Sequence, residues 1–534
     1  MKFIKRMKIV TIMLLTSILI ILCFSKCSDT YYSLNSIKNT EKKQNNRTMK
    51  KNQYGVSASH PLAIEEGMKV LKQGGNAVDA AIAISYTLGV VEPYASGLGG
   101  GGGMLIVTKD GEKNFIDYRE TAPNLSKNRM GDSGIPGFVA GMEFASEKYG
   151  SMSMKKLIEP SIHYAEKGFK VDQLLSSRLV TARYRIYSNK LSIFYPNGQA
   201  INSGKTLVQN TLAKTLKKIQ KNGASAFYQG DIAREMSRAT NFPLESIKNY
   251  TVEEHTPVEG EYEGYRVYTA PPPFSGVTLF QMLKKADSNK LYNKKKNLVE
   301  YITLMGEIQK LSYQDRIKNI GDPNFSNIEI DKLISSKYLS SMITNKNDLL
   351  FEEEHESTTH FVVMDKSGTT VSVTNTLSNF FGTGNYNQGF FLNNQLSNFS
   401  NAPNQIEPGK RARTFMSPTI LEKKGKEIIG IGSPGGNRIP QILTTVIDSY
   451  IHSDSDLQTI VDESRFVFEK NNIYTEVPFA TNVKEALTRK GYKVIQKYSP
   501  MFYGGVQALI RNEKENIITG AGDARREGTW KAHN

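Results

Sequence analysis

Cysteine is nearly absent from this chain: of 534 residues only Cys23 and Cys27 carry a thiol. Beyond Cys27 the sequence therefore excludes a disulfide framework, a thiol nucleophile and any cysteine-based metal site. Long apolar runs are equally scarce. Ile9–Ser25, interrupted by two Thr and two Ser, is the one stretch near the length of a bilayer span, which excludes a polytopic membrane protein. Charged residues at 22% and aromatics at 10% rule out wholesale disorder and collagen-like composition. No internal repeat is evident. The net charge of +16 suggests nucleic acid until it is placed along the chain. Residues 1–53 hold eleven Lys/Arg against two Asp/Glu, which leaves +7 on the other 481 residues. No basic stripe with interleaved aromatics supports DNA or RNA, and an acidic small molecule or polymer fits that surplus equally well.

What is present begins with a leader. Lys2, Lys5, Arg6 and Lys8 precede the apolar run, so residues 1–27 read as an export signal or, uncleaved, an N-terminal anchor. Phe24-Ser25-Lys26 is a poor context for lipidation of Cys27. Residues 28–53 are rich in Asn, Lys, Ser and Thr without hydrophobic period and read as a flexible tether. The folded part is expected from Tyr54, on a protein exported to the cell surface or cell wall that touches a membrane only through its leader.

Apolar spacing predicts helices on either side of Gly74-Gly75, the second of them, Ala77–Leu88, buried nearly all round. Hairpins are predicted around Lys109-Asp110-Gly111, Asp365-Lys366-Ser367-Gly368 and Lys423-Lys424-Gly425, and between Val506–Arg511 and Asn516–Gly520. Residues 153–345 read as mostly helical, and Ile439–His452, Leu457–Glu469 and Val483–Lys490 as helices between the later strands. Strands in runs and helices in runs favour α+β layering with antiparallel sheets over a doubly wound parallel sheet.

Most motifs dissolve on inspection. The run Gly97–Gly103 lacks the Gly-Lys-Ser/Thr of a phosphate cradle and leads into a strand, so close backbone packing is the better reading. His355 and His360 are five apart, about 140° around a helix, which disfavours zinc and leaves His360 structural. Ser433 has Ile431 two positions before it, not the glycine of a serine-hydrolase elbow. Lys366-Ser367-Gly368 is explained by a hairpin turn. There remains Ser357-Thr358-Thr359-His360, ahead of a strand and behind the acidic stretch Asn345–Glu356. A threonine made N-terminal becomes a good nucleophile, because its own α-amine, with a pKa of about 8, can take the hydroxyl proton. Its β-branch helps to orient the oxygen. Threonine pairs at strand starts are also plain β-formers. Pro434-Gly435-Gly436-Asn437-Arg438 adds two bare backbone N–H groups before a helix, suited to an oxyanion or simply to a turn.

From about Tyr54 onward the chain resembles the γ-glutamyltranspeptidase family of N-terminal nucleophile hydrolases. The resemblance is carried, in order, by Gly74-Gly75-Asn76-Ala77-Val78-Asp79-Ala80-Ala81, Asp117-Tyr118-Arg119-Glu120, Pro271-Pro272-Pro273 and Thr358-Thr359-His360. It continues through Leu392-Asn393-Asn394-Gln395, Met416-Ser417-Pro418-Thr419 and Gly432-Ser433-Pro434-Gly435-Gly436. It implies an αββα sandwich, two stacked, mainly antiparallel sheets flanked by helices, with no metal and no cofactor. It also implies a proenzyme that cuts itself between Ser357 and Thr358, giving a heterodimer of residues 54–357 and 358–534. Thr358 would then attack a γ-glutamyl amide, Thr376 would hydrogen-bond it, and Gly435 and Gly436 would hold the oxyanion. Arg119 and Gln395 match family positions at the glutamyl end of the substrate.

The departures from the family pattern are as informative. The acid that grips the substrate α-amine falls at Asn398, its assisting asparagine at Ser378, and the carboxylate-binding serine pair at Thr414-Phe415. Only Ser400–Lys410 joins the two motifs, too short for a lid. A buried ammonium without a carboxylate partner is expensive, so a free amino-terminal γ-glutamyl unit is disfavoured and an internal unit of a polymer fits. These departures resemble those of family members acting on poly-γ-glutamate, with an amine of peptidoglycan, or water, as acceptor. Each unit of that polymer carries a carboxylate, which Arg119, Arg438 and Arg526 would bind bidentately. Ordinary ion pairing is the alternative for these arginines. The competing functions are a general γ-glutamyltransferase or glutathione hydrolase, and a wall- or polymer-binding protein that keeps only the fold.

Overall fold

The computed structural model describes residues 53–126, 130–186, 191–343 and 357–534. The leader, all of the tether except Gln53, and the acidic stretch with His355 lie outside the described residues. Thirteen strands build two large sheets. In chain order they are β1 (Tyr54–Ala58), β2 (Gly101–Val107), β3 (Lys113–Asp117), β4 (Glu253–His255), β5 (Val258–Tyr262), β6 (Tyr265–Thr269) and β7 (Ser357–Met364). Then come β8 (Thr370–Ser378), β9 (Thr419–Lys423), β10 (Glu427–Gly432), β11 (Gln507–Asn512), β12 (Ile518–Gly522) and β13 (Thr529–His533).

The first sheet runs β13-β1-β7-β8-β2-β3-β4 and the second β12-β11-β10-β9-β6-β5. Every pairing in both is antiparallel. The sheets lie face to face: a Cβ added to Gly430 would be 2.5 Å from Val362 Cγ1, so glycine here lets β10 approach β7. Leu509 and Ile518 of the second sheet join Val362 and Met364 of the first in one apolar cluster.

Helices cover the outer faces. Over the first sheet lie α1 (Pro61–Lys72) and α2 (Ala77–Val91), packed against Phe361, Val363, Val371 and Val373. Asn76 and Asp79 form a reciprocal capping box that starts α2, whose residues are buried all round except at Gly89. After α3 (Gln173–Ala182) come α4 (Gly276–Ser288), α5 (Leu298–Asn319) and α6 (Ile439–His452). Residues of α4 and α6 share the apolar cluster of the second sheet. The result is the expected αββα layering.

Residues 153–345 are mostly helical, as expected, but β4, β5 and β6 lie among the helices, and one expected helix is cut short. The alternating Val258–Tyr262 and Tyr265–Thr269 flank Glu263-Gly264, both at positive φ, a hairpin signature that the surrounding helices outweighed. The helix expected over Leu457–Glu469 stops at Asp462, and Phe466–Glu469 is a strand paired with Asn472–Thr475. Among the described residues no helix is long and apolar enough to cross a membrane.

Candidate active site

The unbroken chain enters β7 at Ser357 and Thr358, and strand alternation decides which way each following side chain looks. Phe361 and Val363 pack under the helices, whereas His360 and Val362 face the second sheet. Thr358 shares the alternation of that second set. On β8, Ser372 donates to the Ile431 carbonyl at 3.3 Å and Thr374 Oγ1 lies 2.8 Å from His360 Nδ1, so Thr376 belongs to the same inter-sheet face. Burial pushes the His360 imidazole down to about 3, which keeps it neutral, consistent with a structural role.

Thr358 and Thr376 are directly opposed in the β7–β8 ladder, and their hydroxyl oxygens are 3.2 Å apart. Thr376 Oγ1 also donates to the carbonyl oxygen of Ser357 at 2.5 Å and accepts from the Ser378 N–H at 2.8 Å. A carbonyl oxygen can only accept, so the single Thr376 proton is committed to Ser357. In the threonine pair Thr358 is therefore the donor. One hydroxyl thus orients the Thr358 oxygen and polarises the carbonyl that precedes it.

The N–H that steadies Thr376 is delivered by a bulge. The register slips after Thr376, so that Ser378 opposes Ser357, and buried Ser378 adopts φ 72°. A left-handed serine costs about 1–2 kcal/mol, strain placed beside the candidate nucleophile. Ser357 Oγ in turn donates to the carbonyl of Tyr94, a residue that no sequence motif singles out.

The Gly435-Gly436 loop arrives from the second sheet. Gly430 lies against Val362 and Gly432 against the His360 ring, where a Cβ would be 2.2 Å from Cε1. The strand ends at Gly432, and the chain turns through Ser433 and Pro434 into the glycine pair. Gly435 and Gly436 take φ 146° and 58°, which glycine alone adopts without strain. Ser433 holds the loop, accepting from the Gly505 N–H at 3.1 Å and donating to the Pro434 carbonyl at 2.7 Å. Arg526, buried, donates to the Thr358 carbonyl at 3.4 Å and to the Met501 carbonyl at 3.1 Å.

Arg119 is wholly buried, and among the described residues none of its three guanidinium nitrogens finds a hydrogen-bond acceptor; Glu120 Oε2 is 3.6 Å away and the Phe274 ring 5.3 Å. Its backbone is fixed by Asp117, which accepts from its N–H at 2.8 Å, and by Tyr250, which donates to its carbonyl at 2.8 Å. Burial raises the Glu120 carboxyl to about 7 despite the pull of Arg119, so Glu120 is an incomplete counter-ion near neutrality. A buried guanidinium without acceptors costs several kcal/mol, and an incoming carboxylate would repay it. Gln395 is similar: it is fully buried, and neither amide atom has a hydrogen-bond partner among the described residues. Asn393 ties the two regions, accepting from the N–H groups of both Gly134 and Gln395, while Gly134 packs against Glu120 and Leu396.

The residues that depart from the family pattern meet as well. Ser378 Oγ donates to Asn398 Oδ1 at 3.5 Å, and the Asn398 carbonyl accepts from Asn404 at 2.7 Å, which pins the short Ser400–Lys410 connection. Thr414 is buried, with Oγ1 accepting from the Met416 N–H at 3.2 Å. Phe415 is core, 4.0 Å under the Arg316 guanidinium, and brings no hydroxyl. Arg438 has an internal account: it pairs with Glu469 at 2.6 Å, donates to the Phe502 carbonyl at 2.8 Å and stacks 3.9 Å over that ring. The glycine run is packed on backbone, since a Cβ on Gly99 would be 2.0 Å from the Phe391 carbonyl oxygen and one on Gly100 2.2 Å from that of Thr376.

Comparison with known proteins identifies the family. The family model described as Gamma-glutamyltranspeptidase matches residues 63–532. The chain is 60% identical over 502 residues to the Capsule biosynthesis protein CapD proenzyme of Bacillus anthracis, covering 94% of this chain and 95% of that protein. It is 34% identical over 536 residues to the Glutathione hydrolase proenzyme of Bacillus subtilis (strain 168), covering 89% and 90%. The crystal structure of cephalosporin acylase from Bacillus halodurans shares the fold, with a TM-score of 0.79 at 24% identity over 92% of this chain and 98% of that one. A match spanning nearly the whole described chain leaves one conclusion: the protein belongs to the γ-glutamyltranspeptidase family and is a γ-glutamyltransferase or hydrolase.

Proposed function

We propose that the chain is a proenzyme that cuts itself between Ser357 and Thr358, then uses Thr358 to cleave poly-γ-glutamate and pass it to a peptidoglycan amine or to water. The observation that carries the first step is the Thr376 hydroxyl held between Thr358 Oγ1 and the Ser357 carbonyl. Thr358 Oγ1 attacks that carbonyl carbon, the oxygen gathers charge against the Thr376 proton, and the C–N bond breaks as the Thr358 nitrogen takes the hydroxyl proton. The resulting ester between Ser357 and Thr358 Oγ1 is hydrolysed, leaving a Ser357 carboxylate and a free Thr358 α-amine.

That amine is then the base. It accepts the Thr358 proton while Oγ1 attacks a γ-glutamyl carbonyl, and the N–H groups of Gly435 and Gly436 receive the oxyanion. The proton passes to the departing amine, and the acyl-enzyme is resolved by the acceptor amine or by water. Arg119, Gln395 and Arg526 supply donors for glutamyl carboxylates. Side chains and one α-amine suffice for each step, without a cofactor.

Preference for the polymer is supported by Asn398 beside Ser378, an amide at the position where the family pattern has the acid for a substrate ammonium. It is supported also by the 60% identity to a protein named for capsule biosynthesis. A leader over residues 1–27 would place the enzyme at the cell surface, where polymer and wall meet. The second reading, a glutathione hydrolase, is favoured by the 34% identity to proteins of that name. Incubating purified protein with poly-γ-glutamate and with glutathione separates the two. Polymer shortening with slow glutathione turnover is expected, and fast glutathione turnover with intact polymer would reject the polymer reading.

A further inference from the structure

The cut proposed above turns Thr358 from a residue inside a chain into the free end of a strand, and free strand ends fray. The ladder beside it is one-sided. β8 accompanies β7 as far as Thr376 opposite Thr358. β1, the neighbour on the other edge, pairs with β7 only from Gly55 opposite Met364 to Ser57 opposite Val362. It then gives way to α1, which starts at Pro61. Among the described residues, 358–361 thus have a strand partner on the β8 side alone.

Side chains take over where β1 leaves. Thr359 shares the alternation of Phe361, so it faces the helix side of the sheet, opposite to Thr358. There its Oγ1 lies 3.1 Å from Ser59 Oγ, which donates to Glu92 Oε1 at 2.6 Å. Ser59 has one proton and spends it on Glu92, so Thr359 is the donor in the other contact. All three residues are buried. Glu92 is anchored in turn: it caps the end of α2, its N–H donating to the Leu88 carbonyl at 2.7 Å, and its own carbonyl accepts from the Ala95 N–H at 2.9 Å. The same segment braces both strands of the site. The Tyr94 carbonyl accepts from Ser357 Oγ, and the Ala95 carbonyl accepts from the Leu377 N–H at 3.0 Å. Ser357 lies before the cut and stops restraining Thr358 once the bond is broken. Thr359 lies after it, and its hydrogen bond persists.

We propose that Glu92 is a positioning residue, acting through Ser59 and Thr359 to hold the freed end of β7, and with it the Thr358 amine and hydroxyl, in register for attack. This role presupposes the cut before Thr358 proposed above. It also joins the two fragments at the site, since Ser59 and Glu92 precede the cut and Thr359 follows it. Its signature is a difference between two reactions of the same threonine. Before the cut the intact backbone already restrains Thr358, so losing the anchor slows turnover far more than self-cleavage.

The test follows self-cleavage of the full chain on denaturing gels and then steady-state turnover of γ-glutamyl-p-nitroanilide, with rates expressed per cut chain. Thr359→Val keeps the β-branched shape and removes the hydroxyl. It should lower kcat about tenfold while KM and the self-cleavage rate stay within about threefold of wild type. Thr359→Ser, which keeps a hydroxyl, should recover most of the lost kcat. Glu92→Leu should lower kcat in the same way, and Glu92→Gln, which still offers Ser59 an acceptor oxygen, should restore it. Combining Thr359→Val with Glu92→Leu should cost no more than the larger single loss, because both break one chain of contacts. Should Glu92→Leu fail to fold, the two Thr359 variants decide alone. An unchanged kcat in Thr359→Val, or equal slowing of self-cleavage and turnover, would overturn the positioning role. A wild type whose new amino terminus is not Thr358 would instead refute the cut itself.

Discussion

The hydroxyl of Thr376 stands 2.5 Å from the Ser357 carbonyl oxygen and 3.2 Å from Thr358 Oγ1, touching both the acceptor and the donor of the proposed acyl shift. Replacing it by the near-isosteric valine removes both contacts and spares the strand. Thr376→Val should slow self-cleavage by about 10²–10³-fold, the usual loss for one oxyanion donor. Thr376→Ser should keep most of the rate, and Thr358→Ala should stay one uncut chain. A time course on denaturing gels, with sequencing of the new amino terminus, checks all three.

Arg119 offers a buried fork of donors without hydrogen-bond acceptors among the described residues. Arg119→Lys keeps the charge and loses the fork, so kcat/KM on γ-glutamyl-p-nitroanilide should drop roughly 10–100-fold, mostly through KM. Unchanged steady-state kinetics would remove Arg119 from the site.

Asn398 lies within reach of Ser378 and presents an amide where a substrate ammonium would need a carboxylate. Asn398→Asp should raise kcat/KM for glutathione by about tenfold, as expected for a partly exposed charge-assisted hydrogen bond of 1–2 kcal/mol. No gain would mean that Asn398 does not occupy the ammonium position.

Glu120 gives a pH signature. Burial lifts its carboxyl to about 7 from 4.5, so between those values the folded chain holds a proton that the unfolded chain releases. Stability from this group is complete below pH 4.5 and is lost as the pH rises through 7. Glu120→Gln, neutral throughout, should remove that decline, on the order of 1–3 kcal/mol. The comparison is made on Tm between pH 4.5 and 7.5, in the uncut Thr358→Ala background. Superimposable profiles with and without the substitution would contradict the raised value.

The sequence made the layering legible because hairpin turns such as Asp365–Gly368 and periodic helices such as Ile439–His452 are written locally. The Phe466–Glu469 strand was not legible, since its apolar residues extend a helical period and only pairing with Asn472–Thr475 decides. At the site, Thr358 and the glycine pair stood out as chemistry in a row. Tyr94 did not, and Ser378 was noted only for its departure from the family pattern, because what they do here depends on backbone groups, a carbonyl and a bulged N–H, which no side-chain pattern encodes. Glu120 sat in view within the Asp117–Glu120 motif, but its burial beside Arg119 is visible only in three dimensions.

The order of strands gives the proposed cut its mechanical meaning. β1, from before the scissile bond, is hydrogen-bonded to β13 on one side and β7 on the other, both from after it, and β6 pairs with β9 in the second sheet. The two polypeptides are thus woven through one another like warp and weft. Severing Ser357 from Thr358 frees an amine but releases no piece, and pulling the halves apart would mean unzipping both fabrics at once.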